Sequence, residues 1–113
     1  MIDTMDRMFI HMISFKYKDS ADAAARAAHW ASLRTLRDID GIIDLQVGGD
    51  VVRAARSYDA GLLVIFRDRA AYDAYQTHPR HVPIQQSGAA MCEAVVAADF
   101  EGIRPSPPVQ PAG

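Results

Sequence analysis

Between Met8 and Lys18 the apolar side chains fall into two alternating registers. Phe9, His11, Ile13, Phe15 and Tyr17 share one face, and Met8, Ile10, Met12 and Ser14 share the other. A period of two predicts a strand, and apolar residues in both registers predict that both of its faces are covered. After it, Asp19 or Ser20 offers an N-cap to an alanine-rich segment that predicts a helix of about 18 residues, ending near Asp40-Gly41. Ile42 to Val47 reads as a second strand, and Gly48-Gly49-Asp50 opens a polar loop running to Ser57. Leu62 to Phe66 is a third strand, again apolar in both registers. Asp68 caps a short helix through Gln76, a further helical turn or two follows Pro83, and Glu93 to Phe100 completes the pattern as a fourth strand.

Strand-helix-strand occurring twice is the plan of an α+β, ferredoxin-like protomer: a four-stranded antiparallel sheet with helices on one face. Helices on one face leave the other uncovered, although strands one and three are apolar there too. The most economical cover is the same sheet of a second copy, so the pattern predicts a homodimer formed through the sheet face. The alternative is a monomer with an exposed apolar sheet.

Wound at 3.6 residues per turn, the first helix places Ala25, Ala28, His29, Ser32, Leu33 and Leu36 on one arc, with Arg26, Trp30, Arg34 and Arg37 opposite or beside it. The inward arc is small in volume. It either lets the helix approach the sheet closely or leaves a pocket. The walls of such a pocket include Phe9, His11, Ile13 and Phe15 from the first strand and Leu62 and Val64 from the third, with His29 and Leu33 from the helix. For His11, burial with one hydrogen bond and a role in the pocket are both open.

Composition narrows the partners. At 113 residues the chain is one domain with a short tail. Its 12 basic and 14 acidic residues are interspersed, with a formal charge of -2, which leaves no basic face for nucleic acid. No segment approaches the roughly 20 apolar residues needed to cross a bilayer, and Met1 to Met8 lacks the apolar run of a signal peptide, so a cytoplasmic protein without a membrane partner is expected. The single cysteine, Cys92, excludes an internal disulfide and a cysteine-based zinc site; in an apolar strand it reads as packing. Gly48-Gly49 lacks the G-x-G-x-x-G pattern of dinucleotide binding, and no cofactor is expected. The tail from Pro105 to Gly113 is proline-rich and expected to be disordered.

The candidate chemistry sits at Tyr75, His78 and His81, spaced three apart around Pro79. His78 precedes a proline and is pushed out of the α region, so a helix carrying Tyr75 on its last turn should end there. Imidazole titrates near neutral pH and a phenol can exchange hydrogen bonds with it, so Tyr75 with His78 or His81 can form a proton-transfer pair. The same pattern also fits a histidine at a helix C-terminus beside a buried tyrosine. His11, His78 and His81 as metal ligands are a third reading, on a loose spacing.

The blocks Phe9 to Lys18, Gly41 to Gly48, Tyr58-Asp59, His78-Pro79-Arg80-His81 and Asp99-Phe100 together resemble the stress-responsive dimeric α/β-barrel (Dabb) family, in its order and spacing. The resemblance runs from Met8 to Glu101 and implies a domain over 8–101, with an extension at 1–7 and a tail at 102–113. It implies a ferredoxin-like protomer that dimerises through its sheet into a barrel. Some plant members are polyketide cyclases that close a poly-β-keto chain by aldol condensation. By that resemblance His11, Tyr75 and His81 are the catalytic residues of a cofactor-independent lyase or cyclase, with His81 taking a proton from an activated methylene. Phe9, Ile13, His29, Leu33, Val64 and His78 would then line the site of a small apolar or carbonyl-containing ligand. Those cyclases carry a further histidine where this chain has Ala60, so three of their four polar pocket groups are matched, which weakens the case for the same substrate or reaction and leaves general acid–base chemistry open. Many other members are known only as stress-induced or uncharacterised proteins, and a non-catalytic stress-responsive homo-oligomer or ligand-binding protein is the alternative. Barrel relatives that oxidise aromatic ketones or degrade haem keep the same fold, so the fold alone leaves redox chemistry open.

Overall fold

The alternating run near the start of the chain forms β1, Arg7–Tyr17, at the centre of the fold. In the computed structural model, which describes residues 6–105, it is followed by α1 (Ala23–Arg34), a 3-10 turn (Thr35–Asp38), β2 (Ile42–Gly49), β3 (Ala60–Phe66), α2 (Arg69–Gln76), α3 (His81–Ala90) and β4 (Cys92–Ile103). The sheet order is β2-β3-β1-β4 with every neighbouring pair antiparallel, the ferredoxin-like arrangement. No described helix is long and apolar enough to cross a membrane.

Register decides which side chains meet. His11 lies opposite Val64 on β3 and Asp99 on β4, and Phe15 lies opposite Ala60 and Val95. On the helix side, Phe9, Phe15, Tyr17, Leu45, Leu62, Val64 and Phe66 pack with Leu33, Leu36, Ile39 and Tyr75 into one core. Burying each such side chain contributes about 1.5–3 kcal/mol, which is what holds the helices on the sheet. On the other side, Met12, Val96 and Phe100 remain 46%, 49% and 43% exposed, and no helix covers them.

Several element ends differ from expectation. The N-cap of α1 is Asp22, whose carboxylate accepts from the Ala25 N–H at 2.8 Å, rather than Asp19 or Ser20; Ala21 is buried and its N–H is used in a turn with the Lys18 carbonyl. The helix has 12 residues and then tightens into the 3-10 turn, where the Thr35 hydroxyl donates back to the Ser32 carbonyl and Leu36 and Ile39 enter the core. Gly41 ends this turn at φ 92°, and a Cβ there would lie 2.5 Å from that of Ala71, so the position needs glycine on both counts. Ala28, placed inward by the helical arc, is exposed; Arg26 is half-buried instead, 4.9 Å above the Tyr17 ring. Asp68 caps α2 as expected. By contrast, α3 begins at His81 and runs for 10 residues rather than following Pro83 for a turn or two, because a proline in the first turn sacrifices no helical hydrogen bond.

β4 is longer than its apolar pattern, reaching Ile103 and so taking in residues assigned to the tail. The cause is β1, which presents partners as far as Arg7, opposite Ile103, and adds an Arg7–Glu101 ion pair. Most of β4 is exposed, which hid its length from a hydrophobicity reading. The remainder of the proline-rich tail and the first five residues lie outside the described residues.

Candidate functional site

The proline corner is the junction between α2 and α3. The His78 N–H donates to the Tyr75 carbonyl at 3.1 Å, and the His78 carbonyl accepts from the N–H groups of His81 (2.9 Å) and Val82 (3.1 Å). The His78 ring is spent on the same corner, its Nδ1 accepting from the Arg80 N–H at 3.0 Å. Arg80 ties the corner to the end of α1 by donating to the Asp38 carboxylate at 2.8 Å and to the Thr35 carbonyl, and this pairing holds the Asp38 carboxyl below its ordinary range. His81, as first residue of α3, is thereby turned into the core, where it is 6% exposed.

Tyr75 and His81 meet ring to ring, with centroids 4.0 Å apart and planes at 28°. The hydrogen bond between them that the spacing allowed is not formed. The Tyr75 hydroxyl and His81 Nδ1 are both sealed from solvent without a partner. Burial raises the Tyr75 phenol well above its ordinary value, so it stays protonated. Burial, the largest cause, also lowers the His81 pKa, and nearby His11 lowers it further. His81 is therefore a neutral imidazole at neutral pH, the form that accepts a proton.

His11 is buried at mid-β1, and its Nδ1 meets the carboxylate of Asp99, its register partner on β4. Its ring lies 5.3 Å from Tyr72 and 6.3 Å from Tyr75. Asp99 was not among the expected site residues. Its signal was the alternation of β4, which puts Asp99 in one register with Val95 and Ala97, on the helix side.

A cavity of about 170 Å³ lies between α1, α3 and the sheet. Of the expected site residues, His81, His29, Ile13 and Leu33 line it, together with Phe15 and Leu62. His11, Tyr75, Phe9, Val64 and His78 do not; the first four are packed in the core behind it and His78 belongs to the corner. Gln85, Gly88 and Ala89 of α3 and Val95 of β4 complete the lining and were missed, since α3 read as only a turn or two. At Ala60 the position on β3 faces the helix side opposite Phe15 and holds only a methyl group.

His29 hangs from α1 into this cavity. Its Nδ1 is 2.7 Å from the Tyr17 hydroxyl, which also accepts from Trp30 Nε1 at 2.8 Å. Burial lowers the His29 pKa as well. Trp30 can reach Tyr17 because Gly49 makes room: a Cβ there would lie 2.8 Å from the indole.

A second, open groove of about 550 Å³ runs along the uncovered sheet face beside the β2–β3 loop, past Met12, Leu63, Val51 and Tyr58, and no histidine enters it. Among the described residues no three His, Cys, Asp or Glu side chains gather as a metal site, so His11, His78 and His81 do not converge as ligands. Cys92 is buried with its thiol pushed up by desolvation, the environment of a packing cysteine.

The fold is shared with solved proteins of low sequence identity. A dimeric ferredoxin-like protein of unknown function from Thermobifida fusca superposes with a TM-score of 0.78 at 23% identity, over 88% of this chain and 95% of that one. A hydroxynitrile lyase from Passiflora edulis gives 0.79 at 15% identity, over 90% and 99%. A Dabb family protein with a ferredoxin-like fold from Mesorhizobium loti gives 0.71 at 22%, over 83% and 95%. No curated protein matches the sequence. The profile of the stress responsive A/B barrel domain matches residues 9–102, nearly the whole described structure, and the chain belongs to that family, Dabb.

Proposed function

We propose that the protein is a homodimeric small-molecule-binding α/β-barrel protein whose helix–sheet cavity carries out cofactor-independent acid–base chemistry on a β-keto compound. The observation that supports this most is the placement of His81: a neutral imidazole on the wall of a mostly apolar cavity, with Nδ1 sealed and Nε2 the nitrogen left for a ligand.

In this reading His81 Nε2 takes a proton from the methylene between two carbonyls. The C–H electron pair moves into the enolate, whose carbon attacks a third carbonyl, five bonds further along the same molecule, and closes a six-membered ring. The new alkoxide recovers the proton from His81. Tyr75 becomes a positioning residue, stacked on the imidazole rather than touching substrate, and Asp99 orients His11 behind it. A cavity of about 170 Å³ is close in size to one that holds a single six-membered ring, which favours a short substrate over a long chain. That a hydroxynitrile lyase is built on this fold supports the lyase class.

The homodimer rests on the uncovered apolar sheet face and on relatives described as dimeric. The small cavity and the closed-off Tyr75 hydroxyl favour one further reading, a ligand-binding stress protein without turnover. Turnover of a short β-diketone carrying a further ketone, such as a 2,4,8-trione, by wild type and His81→Ala, with folding checked by circular dichroism, separates the two. General acid–base catalysis by His81 gives a loss of about 10²–10⁴-fold. Equal turnover rejects it, and binding without turnover in either protein supports the second reading.

A further inference from the structure

We propose that His29 is the specificity-determining group of the cavity, a hydrogen-bond donor of fixed tautomer that selects ligands carrying an oxygen acceptor. The inference rests on the cavity reading above and adds the chemistry of the ligand.

The tautomer follows from counting protons. Trp30 Nε1 can only donate, so at 2.8 Å the Tyr17 oxygen must accept from it. Tyr17 has a single proton, is 2% exposed, and has one other polar neighbour on its hydroxyl, His29 Nδ1 at 2.7 Å. If Nδ1 donated, the Tyr17 proton would be buried with no acceptor. If Tyr17 donates, all three groups are satisfied. Nδ1 of His29 is then the acceptor, and its ring proton is on Nε2.

That Nε2–H has no acceptor among the described residues. It lies over Gly88 of α3, where a Cβ would come within 2.5 Å of it. Glycine inside a helix costs about 1 kcal/mol relative to alanine, and here it keeps the imidazole edge clear. Gly88, His29 and His81 all line the same cavity, whose remaining wall is mainly apolar. A ligand filling this space would present carbon to Phe15, Leu33 and Leu62 and an acceptor oxygen to His29. The ring side chain, held by Tyr17 and Trp30 before any ligand arrives, loses little freedom on binding. A carbonyl or carboxylate oxygen satisfies it; a hydrocarbon of equal shape leaves the N–H buried and unpaired, the more unfavourable case.

The test uses a matched pair of probes, cyclohexanone and methylenecyclohexane, which differ in C=O against C=CH₂. Long-range ¹H–¹⁵N spectra of the full chain read the His29 tautomer, and titration reads both affinities. The expected result is the Nε2–H tautomer in the free protein and about threefold to tenfold tighter binding of the ketone. The Tyr17→Phe variant, which keeps His29 but frees its Nδ1, should show mixed tautomers and a ratio nearer one. An Nδ1–H tautomer in wild type, or equal affinity for the two probes, overturns the proposal while leaving the cavity a binding site. If neither probe binds, both the proposal and the cavity reading fall.

Discussion

The rings of Tyr75 and His81 lie stacked with centroids 4.0 Å apart, yet the polar atom each would offer the other, the hydroxyl and Nδ1, has no partner at all. Residues three and six positions apart around a proline corner were close enough for a hydrogen bond. The helix α3, starting at His81 itself, brings the faces together instead.

Removing the Tyr75 hydroxyl should therefore be harmless. Tyr75→Phe deletes an unsatisfied buried donor, so stability is expected to hold or rise by about 1 kcal/mol in urea unfolding, with turnover changed little. Tyr75→Ala, which removes the stacked ring, is expected to cost about 3–5 kcal/mol. A marked loss in the phenylalanine variant would mean that the hydroxyl has a partner or touches substrate.

The His11–Asp99 contact joins the two strands at the heart of the sheet. Asp99→Ala leaves the imidazole nitrogen, 5% exposed, without its acceptor, and a loss of about 1–3 kcal/mol is expected. A double-mutant cycle with His11→Phe measures the coupling, expected at about 0.5–3 kcal/mol. Additive losses would show that the pair does not act as a unit.

Acid should weaken the fold before any carboxylate is reached. The pKa values of His29 and His81 are lowered from 6.5 by burial. Below that value the unfolded chain binds protons that the fold does not, so stability falls as pH drops from 6.5 toward the lowered values and is level above it. The carboxyls of Asp38, Asp44 and Asp59 are lowered from 3.8, and their contribution is present above 3.8 and lost as pH falls below it, a separate window. Urea midpoints between about pH 5 and 8 test the histidine part, and a flat profile over that range would contradict it.

Gly49 is expected to report on the Trp30 anchor. In Gly49→Ala the added Cβ, 2.8 Å from the indole, displaces it from the Tyr17 hydroxyl. Overpacking of this kind costs about 1–3 kcal/mol. The chain has one tryptophan, so its emission reads the change directly and should move to the red. Gly48→Ala, where nothing lies within 4 Å, is the matched control and should leave emission unchanged.

On the uncovered sheet face, Met12 is 46% exposed with Leu63 opposite it on β3. If two copies meet there, Met12→Asp places an unpaired charge in the interface and should shift sedimentation from dimer to monomer without loss of secondary structure. A wild-type monomer at micromolar concentration would count against the homodimer.

Patterning alone carried the architecture. Alternation in β1 and β3 specifies strands buried on one face and greasy on the other, Asp68 and the pair His78-Pro79 mark where α2 begins and ends, and the order of elements admits a ferredoxin-like sheet. These are local or near-local properties, set by side-chain direction and backbone restriction, and they can be read along a line. Element ends were less legible where the deciding partner is distant. β4 extends to Ile103 because β1 offers it a ladder, and α1 yields to a 3-10 turn because Leu36 and Ile39 must reach the core.

The site was decided in three dimensions. Tyr17 and Trp30 hold His29, Asp99 meets His11, and Gly88 clears the His29 ring, across separations of 12, 13 and 88 residues for the hydrogen-bonded pairs. No spacing along the chain encodes these, since a hydrogen bond depends on positions within a few tenths of an ångström that only sheet register and helix packing supply. For the same reason the sequence could nominate His81, His29, His11 and Tyr75 together. Only the packed structure separates the two that face a cavity from the two that stand behind it.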